Sequence, residues 1–208
     1  EGIVGLKWWD VEITGLTNHA GTTPMNDRKD ALLAAAQFIL AVNDHIKKNE
    51  GAQVGTVGRI EAFPGAPNVI PGKVITSLEI RDLNADKIAF LFNQIEARAH
   101  EIGKSTQTTF EFKPINATAE PALTDQRIQD LIRKNASNLN YSFRTMPSGA
   151  GHDAQDMAMI TPTGMIFVPS VDGISHAPDE YSTPAAIAKG ANLLLHSILE
   201  LDKTKFIN

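Results

Sequence analysis

The chain contains no cysteine. That absence excludes disulfides and cysteine-ligated zinc, and it fits a reducing compartment, so a cytoplasmic location is expected. No apolar run approaches the ~18 residues needed to cross a bilayer, and no charged-then-apolar leader opens the sequence. The 19 Lys and Arg residues nowhere cluster, and with 24 Asp and Glu they leave a net charge of −5. A surface for nucleic acid or for an anionic membrane is therefore not expected. Also missing are a GxGxxG fingerprint, a P-loop, a GxSxG elbow and an HExxH helix. The chain begins at Glu1, directly in strand-like sequence and without an initiating Met. A piece of something longer is the expectation.

What is present describes an ordinary globular protein. Of 208 residues, 42% are hydrophobic and 21% charged, enough to bury a real core in one large domain or two small ones. Lys7 to Gly15 alternates, with Trp9, Val11 and Ile13 on one face, and reads as a half-buried strand. The polar stretch Gly15 to Met25 follows, carrying His19. Asn26 or Asp27 is placed to cap a helix with Leu32, Ala35, Ile39, Val42 and Ile46 inward, ending near Lys48. Residues 52–62 read as a strand bent at Gly55 and Gly58, and 63–72, with three prolines, as a rigid connection. Lys73 to Arg81 is a second alternating strand. Asn84 caps a helix closed by Gly103, and 105–113 forms a further strand.

The order β-α-β-β-α-β over residues 6–116 is that of a ferredoxin-like, split βαβ unit. Residues 114–123 read as a linker. Beyond them the spacing predicts a helix over 125–139, a short strand at 142–145, a helix over 152–160 and a buried strand at 164–168. A last helix is capped by Thr183 with Pro184 at its first turn and Ile187, Ala191, Leu194, Ile198 and Leu201 inward. Helices alternating with short apolar strands suggest part of an α/β layer, with too few strands to stand alone.

The polar residues that could carry chemistry lie on loops and strand ends. They are His19, Asn68 in Pro-Asn-Val-Ile-Pro-Gly, Arg81, His152 in Ser-Gly-Ala-Gly-His-Asp, and His176 in Gly-Ile-Ser-His. Each also has a purely structural reading: Asn68 as a turn former, Arg81 as the ion-pair partner of Asp82, His152 as a solvated helix cap. His45, His100 and His196 fall on polar helix faces and are assigned no role. Taken together, a guanidinium and a carboxamide can clamp an anionic, amide-bearing molecule. One imidazole can polarise a carbonyl and another can ligate a metal, while Gly149 to Gly151 can offer backbone N–H groups. That set suits hydrolysis of an amide-like bond.

The motifs Asn-His-Ala-Gly-Thr-Thr-Pro-Met with Arg28 and Asp30-Ala31, Pro-Asn-Val-Ile-Pro-Gly, Ile80-Arg81-Asp82, Ser-Gly-Ala-Gly-His-Asp-Ala-Gln and Gly-Ile-Ser-His resemble, in that order, those of the hydantoinase/carbamoylase family. That family includes N-carbamoyl-L-amino-acid hydrolases, β-ureidopropionases and allantoate amidohydrolases, within the di-metal aminoacylase/carboxypeptidase-type superfamily. The resemblance implies a lid and dimerisation domain over 6–116 inserted into a metallopeptidase-type α/β catalytic domain. Residues 1–5 and 117–208 would be the C-terminal portion of that domain. It further implies a homodimer through the lid and a small anionic carbamoyl or ureido substrate. His19 would polarise the scissile carbonyl across the dimer interface, Asn68 and Arg81 would clamp substrate, and Gly151 and His152 would touch it. His176 would be a metal ligand in a centre of two divalent ions (zinc, manganese, cobalt or nickel).

The family's other ligands, its bridging aspartate and its general-base glutamate lie N-terminal to the lid and have no counterpart here. Asp153 and Glu180 match no such position, and Ala177 stands where a Ser is usual. The chain alone is thus expected to retain no metal pair, to lack the metal-bound nucleophile and to be inert. The alternative is a stand-alone dimerisation or ligand-binding module without catalysis.

Overall fold

The computed structural model describes residues 1–203. The chain forms Gly2–Ile3 (β1), Gly5–Thr14 (β2), Asn18–His19 (β3), Ala31–Lys48 (α1), Val54–Thr56 (β4), Ile60–Phe63 (β5), Val69–Ile70 (β6) and Lys73–Asp82 (β7). It continues with Ala85–Thr106 (α2), Thr109–Ala119 (β8), Ala122–Leu123 (β9), Gln126–Asn138 (α3), Pro147–Ser148 (β10), Ala154–Ala158 (α4) and Pro184–Lys203 (α5). The fold is mixed α/β, with three separate sheets among the described residues. The chain divides into two compact units, Val4–Pro121 and Glu1–Ile3 with the residues from Ala122 onward. No helix among the described residues is long and apolar enough to cross a membrane.

In the unit Val4–Pro121 the sheet order is β4-β7-β2-β8, with β5 pairing β7 beside β4, and every pairing is antiparallel. Alternation dictates the two faces. Trp9, Val11 and Ile13 on β2, and Val74, Leu78 and Ile80 on β7, are buried in one cluster with α1 and α2. Trp9 stacks on Phe92 at 4.3 Å between ring centres, and Phe38 meets Phe110 and Phe112 at a tilt. Burial of each such side chain stabilises by roughly 1.5–3 kcal/mol.

Several local expectations change. α1 starts at Ala31 and is capped by Asp30, whose carboxylate accepts from the amides of Leu32 and Leu33; Met25–Asp27 is a separate 3₁₀ turn. Its buried positions are Ala31, Ala34, Ala35, Phe38, Ala41, Val42 and Ile46, so Leu32 points outward and Ile39 is half-buried. Leu32, Leu33 and Leu40 surround the helix with apolar side chains, and periodicity alone then leaves its phase undetermined. Asn84 does cap α2 through Lys87 N–H. The helix passes through Gly103 to Thr106, and Gln107, in the left-handed region, closes it. Gly103 serves close approach instead of termination: a Cβ there would lie 2.7 Å from the Thr108 carbonyl oxygen.

The bent strand is two strands. Between them Ser77 Oγ accepts from Gly58 N–H, and Thr76 Oγ1 donates to the Arg59 carbonyl, so β7 side chains satisfy the unpaired backbone. The expected linker from Pro114 is instead the second half of β8, with Pro114 opposite Trp9 and Ile115 opposite Trp8. Among the described residues β8 pairs on one side only, which is where a strand tolerates a residue without an amide hydrogen.

In the other unit β1 lies between β9, antiparallel, and β10, parallel. Asp125 caps α3, and Lys134 on α3 is ion-paired to Glu200 on α5 at 2.6 Å. The strand expected at 142–145 is not formed; the pairing falls on Pro147–Ser148. The helix expected over 152–160 is the single turn Ala154–Ala158. The segment 164–168 has no strand partner among the described residues and stays irregular, leaving Phe167 50% exposed. α5 starts at Pro184, with Thr183 Oγ1 accepting from Ala186 N–H. Leu193 and Ser197 are its buried residues, whereas Ile187, Leu194 and Ile198 are each more than half exposed. Periodicity located the apolar stripe, but periodicity does not supply a cover for it.

Candidate functional site

The polar stretch after β2 is held as a platform by its own backbone. The antiparallel pairing of β2 with β7 runs to Thr14 and Lys73, continues through Gly15 N–H to the Gly72 carbonyl, and resumes with a one-residue offset as β3 with β6. Asn18 thus lies opposite Ile70 and His19 opposite Val69, and Ala20 N–H donates to the carbonyl of Asn68. Two motifs some fifty residues apart in sequence become one structure. Glycine is required at its base: a Cβ on Gly15 would lie 2.0 Å from the Lys29 carbonyl oxygen, and one on Gly72 would lie 2.2 Å from Thr17 Oγ1. Leu16 N–H to Lys29 O and Ala31 N–H to Pro71 O tie both segments to the start of α1.

His19 is exposed at the tip. Its Nδ1 accepts from Gly21 N–H at 3.0 Å, its own N–H donates to Asn18 Oδ1, and its carbonyl accepts from Thr23 Oγ1. An Nδ1 that accepts carries no hydrogen, so the neutral ring bears its hydrogen on Nε2. The ring is thereby set as an outward hydrogen-bond donor.

Arg81 stands at the far end of β7, paired across the sheet with Leu6 and Val54. Its guanidinium forks onto Glu79, Nε to Oε1 at 2.7 Å and Nη2 to Oε2 at 3.0 Å. The ion-pair partner is Glu79, two residues back on the same face, and not Asp82, which faces inward and meets Lys87 at 3.5 Å. The Arg81 fork, offset by partial burial and aided by the Trp8 indole N–H, holds the Glu79 carboxyl below its ordinary range. Trp8 and Glu79 line a cavity of about 340 Å³ on the open face of the sheet, beside the Arg59–Asp10 ion pair. The eight steps along the strand from Lys73 to Arg81 span about 26 Å, so Arg81 does not join His19 and Asn68 in one chain.

Three further residues lie in the other unit. Gly151 and His152 lie three and four residues past the end of β10. His152 Nε2 is 2.7 Å from Ser148 Oγ, and its ring meets the Phe167 ring edge-on. His176 occupies a loop with φ of 57°, a left-handed conformation that His adopts more readily than most residues. Glu180 closes that loop by accepting from His176 N–H at 2.8 Å. Among the described residues no three His, Asp or Glu side chains come together as a metal-binding group.

Gly21, Glu79, Ser148 and Glu180 are partners that the sequence alone does not assign. Local spacing carried a faint signal for two of them: Gly21 is two residues after His19, and Ser148 four before His152. Glu79 could not be read from a strand pattern alone.

A sequence model of peptidase family M20/M25/M40 matches residues 12–200. The chain is 38% identical to an N-carbamoyl-L-amino acid amidohydrolase of Geobacillus stearothermophilus, over 96% of this chain and 48% of that protein. It is 39% identical to a ureidoglycolate hydrolase of Arabidopsis thaliana, over 92% of this chain and 40% of that one. A hydantoinase/carbamoylase family amidase from Burkholderia multivorans superposes with a TM-score of 0.90 at 35% identity, covering 96% and 48% respectively. The chain spans about half the length of the curated relatives it matches. The chain belongs to peptidase family M20/M25/M40, and the solved structures it resembles include a member of the hydantoinase/carbamoylase family.

Proposed function

We propose that this chain supplies the lid and the C-terminal part of the catalytic domain of a cytoplasmic amidohydrolase that cleaves carbamoyl or ureido C–N bonds. In this reading Val4–Pro121 is a ferredoxin-like lid, consistent with its element order and its all-antiparallel pairing. The substrate class draws on the relatives. An N-carbamoyl amino acid and ureidoglycolate each carry a ureido group and a carboxylate on one carbon.

The observation that carries the proposal is the orientation of His19. With Nδ1 occupied by Gly21 N–H, Nε2–H is the donor offered to a scissile carbonyl oxygen. That hydrogen bond strengthens as negative charge develops on the oxygen, which is how a fixed donor lowers a barrier. Arg81 offers a planar fork to the substrate carboxylate, which would exchange with Glu79 for it. Asn68, Gly151 and His152 would complete the contacts. The family uses divalent metal, and His176 would be a ligand to it from this chain. The work of this chain's own residues is therefore binding and polarisation.

His19 and Arg81 are too far apart in one chain to hold one small ureido acid, which motivates a homodimer in which the lid of one chain serves the site of the other. The outer edge of β4 and the exposed Leu33 and Leu40 on α1 are a surface suited to that pairing. The alternative is a stand-alone dimerisation or ligand-binding module without catalysis, in which the platform of His19 and Asn68 holds a ligand.

Ammonia release from N-carbamoyl amino acids, with and without added divalent metal, separates the readings. A longer polypeptide containing this chain should turn over with metal, while the 208-residue chain should neither turn over nor bind metal stoichiometrically. Two ions bound per 208-residue chain would refute the assignment as a partial site. Ligand binding by the longer polypeptide with no turnover would favour the module.

A further inference from the structure

Arg28 stands just before the cap of α1 and is half-buried. Its guanidinium makes three hydrogen bonds to two backbone oxygens: Nη2 to Ala20 O at 2.7 Å, Nη2 to Thr23 O at 3.1 Å and Nε to Thr23 O at 3.2 Å. No carboxylate lies within ion-pair distance of it among the described residues. A surface arginine ordinarily spends its donors on acids or water, and this one spends them on the turn beyond His19. The two carbonyls flank Gly21 and Thr22, so the fork fixes the segment whose middle amide, Gly21 N–H, donates to His19 Nδ1. Thr23 closes the same turn from the other side, with N–H and Oγ1 both donating to the His19 carbonyl.

We propose that Arg28 is a positioning residue for His19. Its fork holds the turn 20–23 so that Gly21 N–H stays on Nδ1, and this selects the Nε2–H tautomer and the direction of that donor. The inference rests on His19 being the carbonyl-polarising group, yet it concerns a ring state that is measurable without substrate or metal. A planar guanidinium reaches both oxygens at once, whereas the point-like ammonium of lysine reaches one.

The test is long-range ¹H–¹⁵N spectroscopy of the His19 ring in this chain at about pH 8, above the ordinary imidazole range, together with hydrogen exchange at Gly21. The native chain should show Nε2–H with a bare Nδ1 and a protected Gly21 amide. Arg28→Met should mix the two tautomers and speed Gly21 exchange by about tenfold or more, since amide protection follows local opening. Arg28→Lys should fall between. A folded Arg28→Met protein that keeps the native tautomer and native Gly21 protection overturns the proposal. If circular dichroism shows Arg28→Met to be unfolded, Arg28→Lys decides: intermediate behaviour supports the proposal, and native behaviour overturns it. A His19 without catalytic role would instead show as unchanged turnover on its removal, a separate result.

Discussion

Gly21 donates its backbone N–H to Nδ1 of His19 at 3.0 Å. This contact turns an exposed loop histidine into a donor of fixed direction, because the one nitrogen left to carry hydrogen is Nε2. Removal of that donor from the proposed full-length enzyme by His19→Ala should lower kcat by ~100-fold, on the scale of a lost oxyanion donor, with a much smaller change in KM. Steady-state kinetics check this, and an unaltered kcat would remove His19 from the mechanism.

The start of α1 distinguishes two carboxylates and an amide that look alike in sequence. Asp30 accepts from two helix amides, whereas Asn26 and Asp27 belong to a detached turn. Asp30→Ala should cost about 1 kcal/mol in urea unfolding, and Asn26→Ala should stay within about 0.5 kcal/mol of native. Equal losses would mean the cap is shared.

The platform beneath His19 depends on the absence of side chains. A Cβ on Gly72 would sit 2.2 Å from Thr17 Oγ1 and 2.5 Å from Thr17 N, and the second of these is backbone. Gly72→Ala is expected to destabilise by about 2 kcal/mol or more, as forced backbone shifts do. Gly149→Ala, whose Cβ would meet nothing within 4 Å, should be near neutral. Denaturant midpoints of the two variants make the comparison.

Asp125 caps α3 and is held by Arg127, whose side-chain hydrogen bonds, ahead of backbone donors, lower its pKa from an ordinary 3.8 to about 2. A carboxyl with a depressed folded pKa contributes stability that is complete above its unfolded value and is lost as pH falls through the folded one. The contribution of this cap should therefore hold down to about pH 4 and disappear between there and about pH 2. Carboxyl ¹³C titration should place the Asp125 midpoint near 2; a midpoint at the ordinary value would show that the Arg127 contact is not populated in solution.

Much of the fold of Val4–Pro121 was legible because alternation and helical periodicity are local consequences of burial. The inward residues of β2 and β7 and the Asn84 cap follow from them directly. What was not legible depended on partners. The sequence points Leu32 and Ile39 inward, because a helix with apolar residues on several sides does not announce its phase. Pro114 reads as a break in sequence, because its tolerance at an open edge depends on which strand lies beside it. Residues 164–168 have the composition of a strand, but a strand is made by its neighbour. For the site, the chemical types at His19, Asn68 and Arg81 could be read, and their grouping could not. Only the backbone pairing of β3 with β6 reveals that His19 and Asn68 share a platform that Arg81, at the other end of β7, does not.

That separation leads to the most direct measurement, made by mixing two inactive variants of the proposed full-length enzyme, His19→Ala and Arg81→Ala, after dissociation and reassembly. If the lid of one chain completes the site of its partner, half of the randomly formed dimers are mixed, each with one intact site, and activity should return to about a quarter of native. Activity that stays at the level of the separate variants would contradict a site assembled from His19 and Arg81 of different chains.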